Sequence, residues 1–373
     1  MPIASEPDAA TALREAAEAG TPVRIVGGGT KLGWGRPVEA EVEVTTAGLD
    51  RIVEHNAGDL TAVLEAGVPL AAAQQKFAEA GQMLALDPPA DGATIGGVVS
   101  AGDSGPLRSR YGGPRDLVLG VRAALPDGNV IKSGGKVIKN VAGYDLGKLL
   151  AGSFGTLGAI VEVSVRLHPR PEQTATAAGG TTDSSTLAAA AIELSRSPLE
   201  HLCLDVRWGG GDGALLARFA GAAAREQAEA ALRLMADAGL EGSLVEDDES
   251  VWSLQRNGQR SAGGTVVRVS GAPSRAAEVL AAATRLGARV VGRAGLGLSW
   301  MAIEERSADE SVEAVQELRR ELSPLPCVVL DAPRVVRERL DPWGGFETGL
   351  LELMRRLKDH FDPAGVLNPG LLP

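Results

Sequence analysis

The chain has 373 residues, enough for two domains, and 44% of them are hydrophobic although only 3% are aromatic. Its formal net charge of −11 argues against nucleic-acid binding, which needs a basic face, and its four histidines show no metal-ligand spacing. Two cysteines, Cys203 and Cys327, are too few for an iron–sulfur cluster and indicate no disulfide framework, so a reducing cytoplasm is expected. The first residues resemble no signal peptide and no run approaches about 18 apolar residues, so no membrane span is expected.

The first predicted elements surround a glycine-rich loop. An Ala-rich helix over 8–19 ends at Gly20, and a strand over 23–26 runs directly into three glycines at 27–29, followed by Thr30 and Lys31. Such a loop presents backbone N–H groups that are open to an anion. The G-x-G-x-x-G pattern fails because Leu32 takes the place of its third glycine, and residues 33–37 allow no helix. We therefore expect a diphosphate site without a helix dipole behind it.

The segment that follows is rich in glycine. Strands are predicted at about 41–45 and over 61–66, and a helix runs from Pro69 to Gly81. Residues 82–168 show almost no helical period, and short strands over 118–124, 129–133 and 159–167 interrupt their glycine turns. This texture predicts a loop-rich domain wrapped around an extended ligand.

Several motifs in this segment are candidates for anion binding. Residues 91–100 form a second wall if they lie near the first loop, because their glycines permit a tight backbone and Thr94 and Ser100 supply hydroxyls. The arginines at 108, 110 and 115 are either a solvated basic turn or anion contacts, and the sequence leaves both open. Residues 142–149 miss the P-loop pattern, because Leu149 replaces the hydroxyl residue that binds magnesium. The glycine turn over 152–158 would let the backbone approach a flat ring or a ribose.

The second half has a different texture. Residues 169–171 and the Thr/Ser/Gly stretch over 174–185 mark a boundary, and no internal repeat is evident. Helices at about 184–196, 222–238, 274–286 and 308–322 alternate with strands over 202–207, 214–219, 265–270, 289–291, 296–303 and 327–330. This order predicts an antiparallel sheet covered by helices on one face, an α+β arrangement. A final helix at about 346–360 leads to a tail over 362–370.

An ordered set of stretches then carries a family resemblance. The stretches are residues 24–31, 81–89, 93–97, 113–120, 139–146, 152–158 and 362–370. Together they resemble the FAD-binding subunits of bacterial glycolate oxidase, which are PCMH-type flavoproteins of the vanillyl-alcohol-oxidase-like superfamily. The match covers most of the first half and the tail, whereas residues 172–340 match loosely.

The resemblance implies a fold and a cofactor. A PCMH-type FAD-binding domain of two α/β subdomains would occupy residues 1–172, an α+β, ferredoxin-like cap domain residues 173–340, and a segment returning to the FAD domain residues 341–373. The cofactor is expected to be non-covalent FAD, because the loop offers Thr30 and no histidine for attachment. The implied FAD-binding residues are Val26, Gly27, Gly28, Gly29, Thr30, Lys31, Pro88, Thr94, Gly96, Gly97, Ser100, Gly158, Ile160 and Asn368.

The resemblance also implies an activity, the oxidation of glycolate to glyoxylate. The cap must then supply a cation for the carboxylate of a small 2-hydroxy acid, and Arg256 and Arg268 are the candidates. The chain lacks the histidine pair that holds a metal in larger related subunits, so no metal site is expected. Expected partners are an iron–sulfur subunit and a paralogous flavoprotein subunit, through which the complex could associate peripherally with a membrane. A stand-alone D-lactate-like dehydrogenase and a non-catalytic flavin-binding assembly subunit remain alternatives.

Overall fold

The computed structural model describes residues 1–89, 91–136 and 145–372. Its first helix, α1 (Glu6–Ala19), begins at Ser5, whose side chain accepts the N–H of Asp8, and ends at Gly20 in the left-handed conformation. The buried alanine face of α1 packs near a parallel pair of short strands, β1 (Val23–Val26) and β2 (Val42–Thr45). The predicted helix and both strands are confirmed to within two residues.

A five-stranded antiparallel sheet forms the second layer of the amino-terminal half. Its strand order is β3-β4-β8-β6-β7, and β4 is buried along its whole length. The helix α2 (Leu70–Ala78) and a small pair of strands lie beside the sheet. The strands are β3 (Ile52–Asn56), β4 (Thr61–Glu65), β5 (Gln82–Met83), β6 (Val118–Ala124), β7 (Val130–Gly134), β8 (Ala159–Arg166) and β9 (His168–Pro169).

The prediction of almost no helix over 82–168 is wrong. The described residues of this range form four short helices, α3 (Ile95–Ala101), α4 (Arg108–Tyr111), α5 (Pro114–Leu117) and α6 (Leu146–Leu150). Helix α3 forms despite two glycines, because Thr94 caps its first turn and Gly102 ends it in the left-handed conformation. A methyl group on Gly96 would lie 2.6 Å from the Cβ of Ala66, so close packing selects glycine inside this helix.

The second half forms one eight-stranded antiparallel sheet, the cap sheet, with the order β13-β10-β12-β11-β15-β16-β14-β17. Helices α7, α8, α10 and α11 pack on one face around a single apolar cluster, which confirms the predicted α+β class. The strands are β10 (Thr174–Thr181), β11 (Cys203–Gly209), β12 (Asp212–Ala220), β13 (Glu241–Leu244), β14 (Thr265–Ser270), β15 (Arg289–Arg293), β16 (Leu298–Ile303) and β17 (Cys327–Asp331). The helices are α7 (Ser184–Arg196), α8 (Ala224–Asp237), α9 (Asp248–Asn257), α10 (Ala276–Leu286) and α11 (Ala308–Glu321).

The cap sheet contains a structural repeat that the sequence does not reveal. The elements from β10 to β13 and from β14 to β17 each follow the order β-α-β-β-α-β, with equivalent strand pairings. The two units join edge to edge through β11 and β15, and α9 connects them. Strand β10 occupies the stretch 174–185 that the sequence marks as a boundary, because its Thr, Ala and Gly residues pack between β12 and β13.

The carboxyl-terminal segment returns to the amino-terminal half. After α12 (Arg334–Arg339) and α13 (Thr348–Phe361), Leu367 bridges to Val23 of β1 in parallel register. The N–H of Asn368 donates to the carbonyl of Val23 at 2.8 Å. Within the described ranges, no helix combines the length and apolarity needed to cross a bilayer.

Candidate functional site

The glycine loop, residues 27–31, forms one wall of a cleft at the end of β1, the loop cleft. Opposite the loop lie the start and one face of α3, and the side chains of Trp34 and Phe154 close the sides. The loop cleft has about 690 Å³ of empty space. Ten of the implied cofactor residues line it: Val26, Gly27, Gly28, Gly29, Thr30, Lys31, Thr94, Gly97, Ser100 and Asn368.

Close backbone packing explains why this loop is built from glycine. A Cβ on Gly28 would lie 1.9 Å from the carbonyl oxygen of Gly92, and one on Gly27 would lie 2.4 Å from Thr94 Oγ1. Gly29 has a φ of +71°, in the left-handed region that favours glycine. No other residue type fits at Gly27 or Gly28 without moving the facing wall.

The expectation of a loop without a helix behind it is wrong in one respect. The N–H of Gly28 is not open to an anion but donates to Thr94 Oγ1 at 3.2 Å, and the same hydroxyl accepts the N–H of Gly97 at 3.4 Å. Thr94 therefore caps α3 and anchors the loop at once. The first turn of α3 lies against the loop although it comes more than sixty residues later in the chain.

Lys31 is held by a buried carboxylate. Its Nζ lies 3.1 Å from Asp103 Oδ2, and the two side chains are 8% and 2% exposed. Burial raises the pKa of Asp103, and the charge of Lys31 opposes that rise. The ammonium also donates to Thr30 Oγ1 at 3.1 Å. Lys31 is thus fixed at the loop cleft as half of an ion pair.

Asn368 joins the tail to both sides of the loop cleft. Its Oδ1 accepts the N–H of Ile25 at 3.0 Å, and its Nδ2 donates to the carbonyl of Phe154 at 2.6 Å. Lys358 holds the same tail, because its Nζ donates to the carbonyls of Thr156 and Leu367 at 2.9 and 2.7 Å. Both polar ends of the Asn368 side chain are therefore used to hold the walls together.

Four implied cofactor residues lie outside the lining of the loop cleft. Gly96 is buried against Ala66, Ile160 lies inside β8, and Gly158 packs against the carbonyl of Ala124. Pro88 is buried, and the chain is described only as far as Pro89 before the gap at residue 90. The motif over 139–146 likewise falls almost entirely within 137–144, outside the described residues.

A second cavity, the basic chamber, adjoins the loop cleft at Ala101 and Phe154, which line both. It holds about 1620 Å³ of empty space and lies between the amino-terminal half, the cap sheet and the carboxyl-terminal segment. Its polar lining comprises Arg108, Arg115, Asp116, Lys148 and Arg268, and its aromatic lining comprises Phe154, Trp343 and Phe346.

Arg268 enters the basic chamber from the cap sheet. In β14 the side chains of Val267 and Val269 pack under the helices, so Arg268 points to the opposite face, toward the amino-terminal half. Its Nε is buried without a hydrogen-bond partner in the part of the chain that the structure describes. Burial lowers the pKa of Arg268, and the positive charge of Arg108 lowers it further. The two guanidinium groups line the same cavity, which is therefore suited to an anion.

Arg256, the other cap candidate, lies in a different cleft. Its Nη2 donates to Glu249 Oε1 at 2.6 Å, so its charge is already balanced. The same cleft contains Asp87, whose pKa burial raises to about 7, against the opposing charges of Arg293 and Arg256. The structure therefore does not bring Arg256 and Arg268 together.

Two adjacent residues that the sequence does not single out connect these sites. Asp103 pairs with Lys31, and the Oγ of Ser104 accepts a hydrogen bond from Arg108 Nη1 at 3.2 Å. The carbonyl of Ser104 accepts Gln259 Nε2 from the cap at 3.0 Å. The sequence offered one signal for them. Asp103 and Ser104 are two polar residues between Gly102 and Gly105, in an otherwise apolar segment.

Gln259, the cap residue that binds the carbonyl of Ser104, is buried. Gln259 accepts a hydrogen bond from Arg293, whose Nη1 lies 2.6 Å from Asp205 Oδ2, and both members of that ion pair are 0% exposed. Arg260 of the same segment pairs with Asp331 and donates to the carbonyl of Thr30 in the glycine loop at 3.1 Å. The cap thus contacts the loop directly. Among the described residues, no group of three or more His, Cys, Asp or Glu side chains is arranged to hold a metal ion.

Comparison with known proteins shows which class of protein has this fold and this FAD-binding domain. Residues 3–134 match the family model described as FAD binding domain, and residues 345–372 match the model described as FAD linked oxidases, C-terminal domain. The solved structure of alkyldihydroxyacetonephosphate synthase superposes with a TM-score of 0.71 at 15% identity, covering 99% of this chain and 76% of that one. The chain therefore has the fold of the PCMH-type flavoproteins and carries their FAD-binding domain.

Two curated relatives narrow this class. An uncharacterized FAD-linked oxidoreductase of Mycobacterium tuberculosis is 28% identical over 99% of this chain and 89% of its own length. A glycolate oxidase subunit of Escherichia coli is 40% identical over 40% of this chain and 43% of its own length. These relatives are FAD-linked oxidoreductases, and the family resemblance drawn from the sequence is confirmed.

Proposed function

We propose that the chain is the FAD-binding subunit of a glycolate oxidase-type complex and oxidises glycolate to glyoxylate. The observation that carries this proposal is the continuity of the loop cleft with the basic chamber at Ala101 and Phe154. One extended dinucleotide can lie along both, with its diphosphate at the glycine loop and its reactive end beside arginines that suit a carboxylate. The relationship to a glycolate oxidase subunit supports this choice of substrate.

The loop cleft fits an FAD diphosphate because the glycines of its loop present backbone and no side chains. The clashes that any Cβ on Gly27 or Gly28 would make show that the backbone itself forms the wall. The residues proposed to contact the diphosphate and the ribityl chain are those of the glycine loop with Thr94, Gly97 and Ser100. Lys31 contributes a donor that Asp103 holds in place. Attachment is proposed to be non-covalent, because the loop side chains are Thr30 and Lys31 and include no histidine or cysteine.

The remaining implied residues have supporting roles in this proposal. Gly158 and Ile160 start the strand β8 that would lie behind the adenosine, while Gly96 and Pro88 keep the second wall close-packed. Asn368 holds β1 and the loop at Phe154 in register, so it positions the cleft that it also lines.

The basic chamber would hold the substrate. FAD bound there would supply the two-electron acceptor for the hydride on the C2 carbon of the hydroxy acid, and the proton of the hydroxyl group would pass to water. Arg268 offers a buried donor without a partner, and Arg108 is oriented beside it by Ser104, so the two can bind the substrate carboxylate as a fork. Phe154, Trp343 and Phe346 restrict water on the remaining sides.

The electrons must then leave through a partner. Both cysteines are free and buried in separate strands, Cys203 in β11 and Cys327 in β17, and burial raises the pKa of each thiol. Two such thiols cannot bind an iron–sulfur cluster. We therefore propose a cytoplasmic complex with an iron–sulfur subunit and a paralogous flavoprotein subunit, which would also provide any peripheral membrane association.

An anaerobic titration of the purified chain tests the proposal. After addition of FAD, glycolate should bleach the visible flavin band stoichiometrically, and glyoxylate should appear in the same amount. D-Lactate in place of glycolate tests the range of hydroxy acids. A flavin band that neither compound bleaches would overturn the catalytic role and favour a flavin-binding assembly subunit. The absence of any bound flavin would contradict the assignment of the loop cleft.

A further inference from the structure

The segment that follows the glycine loop is buried in the cap. Trp34 is 3% exposed, and it belongs to an apolar cluster with residues of the last four strands of the cap sheet in the chain. These residues are Val266, Val291, Trp300, Ala302 and Leu330. By strand alternation they lie on the face of the sheet opposite α7, α8, α10 and α11. Trp34 is therefore a part of the amino-terminal half that packs directly on the open face of the cap sheet.

Polar contacts tie the same segment to the cap. The Nε1–H of Trp34 donates to Asp331 Oδ1 at 3.0 Å, and Arg260 pairs with the other oxygen of that carboxylate. Arg260 also donates from Nη2 to the carbonyl of Thr30 at 3.1 Å. One cap arginine therefore joins the backbone of the glycine loop to the carboxylate that holds Trp34.

The indole ring of Trp34 lies between two cations that are each paired. The Cζ of Arg260 lies 5.6 Å from the centre of the ring, and the Nζ of Lys31 lies 5.9 Å from it. Both distances are within reach of cation–π attraction. Asp331 balances the charge of Arg260, as Asp103 balances that of Lys31. We call Arg260, Asp331 and Trp34 the loop clamp, because each of the three binds another and Arg260 binds the loop.

A second cap arginine holds the next turn of the chain. The Nη1 of Arg337, in α12, donates to the carbonyl of Gly35 at 3.2 Å. Thr30 and Trp34 line the loop cleft on one side of this segment, while Arg260 and Arg337 contact it from the cap. The position of the glycine loop thus depends on the position of the cap.

We propose that Arg260 is a positioning residue for the diphosphate site, acting through the Thr30 carbonyl and the loop clamp. Arg260 is not among the residues that line the loop cleft, so its effect on the cofactor is exerted through the loop. FAD binding and docking of the cap on the amino-terminal half are then linked, and each favours the other. This inference rests on the proposed assignment of the loop cleft to the FAD diphosphate, and it adds a role in cofactor binding for the cap.

The chemistry of the guanidinium group sets the expected effects. Arginine can donate to Asp331 and to the Thr30 carbonyl at once, whereas lysine offers a single ammonium and glutamine has no charge. The side chain of Arg260 is 27% exposed, so the loss should lie at the lower end of the range for a charge-assisted hydrogen bond. We therefore expect Arg260→Gln to raise the Kd for FAD about tenfold and Arg260→Lys to raise it less.

Flavin fluorescence titration of the apoprotein measures these Kd values, and melting temperatures without FAD report the fold separately. Arg306→Gln is the matched control, because Arg306 also donates to a backbone carbonyl, that of Leu286 at 2.7 Å, inside the cap. It should leave the Kd for FAD unchanged. An Arg260→Gln variant that melts at a lower temperature but binds FAD as the parent does would have lost a structural contact alone, and this result would overturn the proposal.

A double-mutant cycle tests whether the loop clamp acts as one unit. Trp34→Phe keeps an apolar ring and removes the donor to Asp331. The combined variant with Arg260→Gln should weaken FAD binding by less than the product of the two single effects, because each substitution breaks the same connection. A combined effect equal to that product would show that the two residues act independently, which contradicts the clamp.

Amide hydrogen exchange measures the linkage from the side of the cap. Addition of FAD to the parent should slow exchange at residues 257–263 and 329–333 as well as in the glycine loop, and Arg260→Gln should abolish the protection of the cap segments. Protection confined to the loop in the parent would overturn the linkage and leave FAD binding intact. A parent chain that binds no FAD would instead contradict the proposed function, on which the inference rests.

Discussion

The loop cleft and the basic chamber are adjacent cavities built in different ways. The loop cleft is formed mainly by backbone from two short segments, 24–31 and 94–101, and its shape depends on glycine. The basic chamber is formed by side chains from α4, α5, α6, β14 and the carboxyl-terminal segment. A site made of backbone leaves a local signature in the sequence, whereas a site made of distant side chains does not.

Gly28→Ala should give the largest effect and tests the backbone side of this comparison. The added methyl group would lie 1.9 Å from the carbonyl oxygen of Gly92, so one wall must move. Such overpacking costs about 3 kcal/mol, which corresponds to roughly 100-fold weaker FAD binding. Flavin fluorescence titration measures the change.

Gly349→Ala is the matched control for that substitution. Gly349 lies in α13 with open space around it, so the same added methyl group should leave FAD binding unchanged and the fold slightly more stable. Tight FAD binding by Gly28→Ala would show that the loop does not form the diphosphate wall.

Arg268→Met should give the next largest effect. It tests the basic chamber, the cavity that is formed by side chains. Loss of a charged donor to the substrate carboxylate costs about 1.5–3 kcal/mol, so KM for glycolate should rise about 10- to 100-fold while FAD stays bound. Arg256→Gln provides the contrast, since the charge of Arg256 is already balanced by Glu249 in another cleft. Rapid-mixing flavin reduction measures both, and a larger effect at Arg256 would reverse the assignment.

Asn368→Ala tests the connection between the two cavities. The substitution leaves the N–H of Ile25 and the carbonyl of Phe154 without their side-chain partner, and alanine tolerates the φ of +41° less well than asparagine. We expect a loss of about 3 kcal/mol in the free energy of unfolding, measured by urea denaturation. Asn129→Ala, in an exposed turn with Asp127, should cost far less. Similar costs for the two variants would mean that the tail does not brace the loop cleft.

Asp87→Asn should give the smallest effect and concerns the cleft that contains Arg256. Burial raises the pKa of Asp87 from 3.8 to about 7, so the folded state binds its proton more tightly than the unfolded state. Its contribution to stability is complete below about pH 4 and is lost as the pH rises through 7. Between pH 5 and pH 7.5 the free energy of unfolding should therefore fall in both proteins, and it should fall by about 2 kcal/mol less in the variant than in the parent.

Melting temperatures across that pH range measure the difference. Asp237→Asn, at an exposed position near the end of α8, serves as the control and should follow the parent curve. Parallel curves for Asp87→Asn and the parent would show that Asp87 does not titrate in this window.

Local patterns were sufficient to predict much of the first half. The strand Val23–Val26 and its glycines follow from an apolar run and the steric freedom of glycine. Helix α3 could not be predicted, because the gain that outweighs the low helix propensity of Gly96 is its packing against Ala66, which is distant in sequence. Strand β10 was missed for a similar reason, since small residues that suggest a linker fit between two neighbouring strands.

In the candidate site, too, the parts formed by local motifs were predictable and the parts formed by contacts between distant residues were not. The loops proposed to bind the cofactor were indicated by motif and resemblance. The ion pair between Lys31 and Asp103 and the hydrogen bond between Ser104 and Gln259 could not be predicted, because they join segments about 70 and 155 residues apart. Arg268 and Arg256 were equal candidates in sequence. Strand alternation directs the first into the basic chamber, whereas Glu249 balances the charge of the second.

The return of the tail to β1 has a consequence for the order in which the protein folds during synthesis. In the first strand after α1, the N–H of Ile25 donates to the side-chain oxygen of Asn368, a residue that is synthesised 343 positions later. While the ribosome is still producing the cap sheet, the glycine loop has been made but its neighbour has not. The hydrogen bonds that join β1 to residue 368 can therefore form only after the cap sheet has been synthesised.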